Sequence, residues 1–286
     1  MKTRNIFYFL FALISFSACE KIVEVEFPSD EPKLVIESQI TNKKDLWKVR
    51  LTLSQPYFDQ DSADNISSAL VNISATDGSS IDLVYSDTGM FVSTDSMQCV
   101  IGETYTLTVK YNGQTYTAAE ELANGFPIDL MLSFYLPSTN GFVESGYYIF
   151  IQGKENDYKG DSYLWKFYKN DTLQETFNIL AENDEFGPVS YLNASIDPKY
   201  PLKGLAQNIL PRPFPFLVEP GDTVRLEQYN LSPTYLQFLF DVQSQLGRSG
   251  TPFDPPPANP NNNISNGGLG YFSVAHYTTK EIIVEE

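Results

Sequence analysis

The residue with the most definite chemistry in this sequence is Cys19. It follows Ser17-Ala18 and an apolar run, Ile6–Phe16, broken only by Ser15, with Lys2 and Arg4 ahead of it. A basic start, a short apolar stretch and small residues before a cut site are the three parts of a secretory signal, and the run is too short to span a bilayer. Directly after such a site, a cysteine thiol can take a diacylglycerol before the peptidase cuts. The sequence therefore predicts a lipoprotein signal peptide over residues 1–18, with Cys19 as the lipidated N-terminus and the link to a membrane. Diacylglycerol plus an N-acyl chain exceeds the two lipid signals that stable anchoring needs. No other stretch approaches eighteen apolar residues.

The remaining reactive side chains are few. With Cys19 acylated, Cys99 has no partner for a disulfide, and it reads as a buried, inert thiol at a strand start. His276 is the only histidine, in an apolar strand-like context with no nucleophile elbow anywhere, so a core or surface role is expected rather than a triad. One histidine and two cysteines are too few for a zinc site, and no glycine loop suited to phosphates occurs. Asp59, Asp61 and Asp64 bring three carboxylates together, but the turn glycine and closing glutamate of a calcium loop are missing, so a solvated loop is expected. Carboxylates elsewhere are numerous, yet no spacing marks a glycosidase pair. No cofactor and no catalytic residue is expected.

Charge excludes one partner class. With 36 acidic against 19 basic residues the chain carries −17, the wrong sign for neutralising nucleic-acid phosphates. It would also be repelled by anionic lipid heads, which leaves the acyl chains as the membrane contact. Binding chemistry must come from elsewhere. Aromatic residues are abundant, with 18 Tyr and 20 Phe. Tyr147, Tyr148, Tyr163, Trp165 and Tyr168 fall on adjacent predicted strands, where exposed rings would stack on sugars or peptide side chains. Most of these are expected to be core.

The elements that would position these residues are mainly strands. Residues 19–32 are acidic, end in two prolines, and read as a tether. Residues 33–125 hold short strands at Leu34–Ile40, Trp47–Ser54, Ala69–Thr76, Ile81–Tyr85, Met90–Val92, Thr104–Tyr111 and Gln114–Ala119. In the second of these Trp47, Val49, Leu51 and Leu53 alternate with Lys48, Arg50 and Thr52. Asn112-Gly113 marks a hairpin, since both residues tolerate the positive φ of a type I′ turn. Seven strands without helical period predict an immunoglobulin-like β-sandwich, although the Cys…Trp…Cys signature is absent. After a boundary near Asn124–Pro127, residues 126–286 predict a second β-rich domain. Its strands are Ile128–Tyr135, Tyr147–Gln152, Tyr163–Tyr168, Leu173–Leu180, Val224–Tyr229, Tyr271–Tyr277 and Glu281–Val284. It carries one helix over 232–246, with Ser232 as N-cap, Pro233 at the first helical position and an apolar stripe of Tyr235, Leu236, Leu239, Phe240, Val242 and Leu246. Gly250–Gly270 is a Pro/Asn/Gly-rich loop, of a length that is usually functional or disordered.

Several segments together carry a family resemblance. They are Cys19-Glu20-Lys21, the run Glu31-Pro32-Lys33-Leu34-Val35-Ile36-Glu37, Pro56-Tyr57-Phe58, Gly102-Glu103-Thr104-Tyr105-Thr106-Leu107-Thr108-Val109, and Asn263-Ile264-Ser265-Asn266-Gly267 entering Gly270-Tyr271-Phe272. Over nearly the whole chain after the signal peptide, the sequence resembles the Bacteroidota outer-membrane lipoproteins of the domain-of-unknown-function 4249 family. The resemblance implies an outer-membrane protein facing the cell exterior, encoded beside a TonB-dependent, SusC-like transporter. It supplies no catalytic residues. It also implies O-glycosylation at Asp-Ser/Thr followed by an apolar residue, a pattern met at Ser62, Ser96, Thr172 and Thr223.

The expectation from the sequence is a non-enzymatic, lipid-anchored accessory subunit of a β-barrel transporter, with a glycan or peptide as its ligand. A surface hydrolase working through carboxylates and an adhesive surface module are the alternatives.

Overall fold

The computed structural model describes residues 31–55, 62–125, 127–137, 145–154, 162–174, 191–195, 218–246 and 258–286. The expected signal peptide, Cys19 and most of the tether lie outside these residues, as do Pro56-Tyr57-Phe58, Asp59 and Asp61.

The chain is mainly β. In order it forms β1 (Leu34–Thr41), β2 (Asp45–Leu53), β3 (Leu70–Ala75), β4 (Ser80–Asp87), β5 (Met90–Met97), β6 (Thr104–Tyr111) and β7 (Gln114–Glu121). Then come β8 (Leu130–Leu136), β9 (Gly146–Lys154), β10 (Ser162–Lys169), β11 (Thr172–Leu173), β12 (Tyr191–Ser195), β13 (Thr223–Leu231), helix α1 (Pro233–Leu246) and β14 (Leu269–Ile283). Eleven strands pair in the order β11-β10-β13-β14-β1-β2-β5-β4-β3-β6-β7, and β12-β9-β8 make a separate three-stranded sheet.

The first seven strands cannot lie flat. Trp47 on β2 meets Tyr105 on β6 edge to face at 5.5 Å, although three strands separate them in the pairing order. Ile36, Val49, Leu51, Ile73, Phe91, Leu107 and Val109, from five of these strands, share one buried core. The sheet therefore folds over across the β4–β5 hairpin. One layer holds β1, β2 and β5, the other β4, β3, β6 and β7, which is an immunoglobulin-like sandwich. Alternation supplies that core: β6 reads buried at Tyr105, Leu107 and Val109 and half-buried at Thr104, Thr106 and Thr108. The β6–β7 turn is as expected, with positive φ at both Asn112 (53°) and Gly113 (77°).

The C-terminal strand completes this sandwich. Residues 269–275 of β14 run parallel to β1, Val35 pairing with Leu269 and Thr41 with Ala275, and Phe272 and Val274 enter the first core. From His276 onward, β14 runs antiparallel to β13 instead. There, β10, β13 and the end of β14 pack against β8 and β9, burying Tyr163, Trp165, Phe167, Val224, Leu226 and Val284 against Ile128, Met131 and Ile149. The two strands expected at Tyr271–Tyr277 and Glu281–Val284 are thus one strand of 15 residues. Its polar segment Thr278–Glu281 stays in the ladder because the partners of Thr278 and Thr279, Gln228 and Glu227, are themselves polar.

The loop ahead of β14 closes the other edge of the sandwich. Ile264 enters the first core, and Ser265 exchanges backbone and hydroxyl bonds with Thr117 on β7, at 2.9 Å and 2.7 Å. Described residues 258–270 of the Pro/Asn-rich loop therefore cover the core.

Gly270 is the tightest point of this arrangement. Its φ is +92°, and a Cβ there would sit 2.1 Å from the Ile36 carbonyl oxygen. Gly270→Ala combines a disfavoured backbone with a clash against main chain that cannot swing aside. We expect a loss of more than about 3 kcal/mol in urea unfolding, against a change of a few tenths for an exposed strand substitution such as Thr115→Ser.

Candidate functional site

Three polar side chains stand in for missing strand neighbours along β14. Asn42 donates its amide to the Tyr277 carbonyl (3.1 Å) and accepts from the Tyr277 N–H, extending the ladder beyond the end of β1. On the opposite edge, Asn263 donates to the Phe272 carbonyl at 2.8 Å and accepts from its N–H at 3.1 Å. Glu120 on β7 accepts from the Val274 N–H at 3.0 Å. Helix α1 begins beside this point. The Ser232 hydroxyl accepts from the Tyr235 N–H at 3.2 Å, as an N-cap does, and Asp241 ties the helix to the loop through the Asn261 N–H (3.0 Å) and side-chain amide (2.8 Å).

Glu120 is the most perturbed acid of this region. Burial pushes its carboxyl up to about 7, partly offset by hydrogen bonds from Ser232 and the Val274 N–H, and Oε1 is buried with no partner. The sequence reading did not single it out. The signal was present, because Glu120 continues the inward phase of Tyr116 and Ala118 on β7.

Between α1 and the outer face of β1, β2 and β14 lies a groove of about 380 Å³. Its wall is a cluster of three rings: Tyr235 and Tyr271 have centroids 4.8 Å apart, Phe238 and Tyr271 5.2 Å, and Tyr235 stacks on Phe238 at 6.0 Å. The Tyr271 hydroxyl donates to Thr234 at 2.8 Å, which fixes that ring against the first turn of the helix. Glu37, Gln39, Lys48 and Arg50 supply polar groups from the strands. Register sets their places: Glu37 pairs with Arg50 and with Tyr271, and Gln39 pairs with Ser273. The Gln39 amide nitrogen and the Ser273 hydroxyl are buried without hydrogen-bond partners. Orphaned polar atoms of this kind cost about 1–3 kcal/mol each.

A second polar cluster differs on that point. On the outer face of β10, β13 and β14, Glu227 accepts hydroxyl bonds from Tyr229 (2.9 Å), Tyr277 (3.2 Å) and Tyr168 (3.3 Å). Arg225 lies 4.4 Å from the Tyr168 ring centre and bonds Asp171 at 2.6 Å, while Lys166 sits 4.8 Å from the Tyr229 ring centre. Burial raises the pKa of all three tyrosines. None of these groups has a buried side-chain polar atom that lacks a hydrogen-bond partner. The groove under α1 is the better ligand site.

The residues expected from the sequence are dispersed. Of the aromatic set, Tyr163 and Trp165 are wholly buried in the second core, Tyr147 packs against it, and Tyr168 is half-exposed on the Glu227 face. His276 lies half-buried with Gly125 pressed against its ring, and burial lowers its pKa. Cys99 is buried, its thiol pushed up to about 12, in the loop between β5 and β6 rather than at a strand start. Asp64 is an exposed loop residue, and no group of three metal-ligating side chains occurs among the described residues. Ser62, Ser96 and Thr172 are exposed and Thr223 is half-buried. Along α1 only Leu236 is fully buried; Phe240 and Leu246, expected in its packing stripe, are exposed. No helix among the described residues is long and apolar enough to cross a membrane.

Because the folded-state pKa of Glu120 lies above its usual 4.5, its contribution to stability is complete below pH 4.5 and is lost as pH rises through 7. Glu120→Gln keeps an acceptor for the Val274 N–H and removes the titration. The variant is expected to gain on the parent between pH 5 and pH 8, by on the order of 3 kcal/mol at most, in urea unfolding across that range.

Comparison with known proteins adds the lineage. No curated protein matches the chain. A solved structure, the two fibronectin type-III domain segment from chicken tenascin, aligns at 10% identity over 71% of this chain and 92% of that one, with a TM-score of 0.21. The sandwich itself rests on the Trp47–Tyr105 contact and the shared core. The family described as "Domain of unknown function (DUF4249)" matches residues 20–281, nearly everything after the expected signal peptide. The chain belongs to the DUF4249 family.

Proposed function

We propose that this protein is a lipid-anchored surface module of the outer membrane, without catalytic activity, that holds a ligand in the groove under α1 for a TonB-dependent transporter. The observation that carries the reading is the groove: a fixed wall of three rings facing the polar side chains of Glu37, Lys48 and Arg50. Pre-formed concave sites of this kind, largely apolar with a few convergent polar groups, are what ligand pockets are made of. The Ser17-Ala18-Cys19 pattern supports acylation at Cys19, and the chain's negative charge makes acyl chains the suitable membrane contact. The transporter partnership and the outward orientation draw on what the family resemblance implies. The glycan or peptide class of ligand follows from ring stacking combined with hydrogen bonding.

Affinity purification of the tagged full-length protein from detergent-solubilised outer membranes tests the partnership. A large β-barrel receptor should co-purify in near-stoichiometric amount, and Cys19→Ala should release the protein from the membrane fraction. Recovery of the protein alone, or membrane retention of the Cys19→Ala variant, would overturn the reading.

A further inference from the structure

The groove is richer in hydrogen-bond donors than the rest of the surface leads one to expect. The chain as a whole carries 36 acidic and 19 basic residues. Yet Lys48 and Arg50 both line the groove, two residues apart on β2 and so about 7 Å from each other along one face. Both are exposed, and neither forms an ion pair with a described residue. Gln39, on the neighbouring strand β1, also lines the groove. Against these donors Glu37 is the one carboxylate lining the groove among the described residues.

That set constrains the ligand. The two cations call for an anionic group. The Tyr235–Phe238–Tyr271 wall calls for a flat apolar face. Glu37 calls for a donor, and this separates two kinds of anionic ring. An aromatic carboxylate brings acceptors only and would set its charge near Glu37 with nothing to bridge them. A pyranose brings hydroxyls that donate to Glu37 while its C–H face lies on the rings.

The geometry points to a carboxylate-bearing sugar, a uronic acid unit of a glycan, as the ligand of the groove under α1, its carboxylate held by Arg50 and Lys48. This rests on the ligand-capture reading proposed above. A volume of about 380 Å³ lies at the small end of ligand pockets, which suits one or two rings of a longer chain entering from an open side.

Calorimetric titration of the full-length protein in detergent at pH 7 and low salt provides the test, with tetragalacturonate, neutral maltotetraose and an acidic tetrapeptide as probes. Tetragalacturonate should bind at least about tenfold tighter than maltotetraose, and Arg50→Gln should weaken it by about tenfold. Lys48→Gln should weaken it less, and Phe238→Ala should weaken both sugars. Arg50 and Lys48 are exposed, so unchanged unfolding midpoints will show that these variants remain folded. Equal affinity for the neutral sugar, indifference to Arg50→Gln, tighter binding of the peptide, or no binding of any probe would each overturn the proposal. Co-purification of the barrel with Arg50→Gln reads the parent hypothesis separately: if the receptor still co-purifies while uronide binding fails, only the ligand assignment falls.

Discussion

The described fold depends on satisfying both backbone edges of β14. A strand buried between two packed cores cannot leave its N–H and C=O groups unpaired, because each orphan costs about as much as a lost hydrogen bond and has no water to turn to. β1 takes one edge of residues 269–275, and β13 takes the other edge from His276 onward. That leaves Phe272 and Val274 open on one side and Tyr277 on the other. Asn263, Glu120 and Asn42 close those positions with side chains that copy, in whole or in part, what a neighbouring strand would offer. Two asparagine amides do so at no electrostatic cost. The glutamate does so only by accepting a desolvated carboxyl, which is why its titration moves towards neutrality.

The same constraint builds the groove. Since β13 ends at Leu231 and does not follow β14 back toward Leu269, the chain turns at Ser232 into α1, and the helix lies beside the strand segment that β13 leaves. The Tyr271–Thr234 hydroxyl bond and the stacked rings seat its first turn, while its last turn is held mainly by Asp241 and Gln245 bonding the loop at Asn261 and Ala258. A helix seated at one end over a sheet leaves a cleft along its flank. Polar strand residues that would otherwise be covered, Gln39 among them, line that cleft.

Much of this was legible locally. The hairpin at Asn112-Gly113 and the alternation of β2 and β6 reside in neighbouring residues and were readable as such; so was the start of α1 at Ser232-Pro233. What was not legible depended on distant pairing. β14 reads as two strands because Thr278–Glu281 is polar, and only its facing partners on β13 explain why the ladder continues. β5 reads as three residues because Thr94, Asp95 and Ser96 face outward. The burial of Tyr163 and Trp165, and the exposure of Phe240 and Leu246, depend on which layer covers each face. The groove brings Glu37 beside Tyr271, and nothing in either local sequence announces that meeting. Glu120 lies between these cases, since its strand phase marks it as inward but its reason for being there is Val274.

The pairing of β1 with β14 also sets an order of events. Asn42 and Tyr277 are 235 positions apart, so β1, paired with β2 on one edge, lacks its second neighbour until β14 is available. Contacts closed over such separations carry a large loop entropy and form late. Before β14 pairs, the β1 edge is open and the β7 edge uncovered, a state prone to mispairing. Residues 269–286 then act as a latch that completes both cores at once, which makes the pairing of β14 the checkpoint for both.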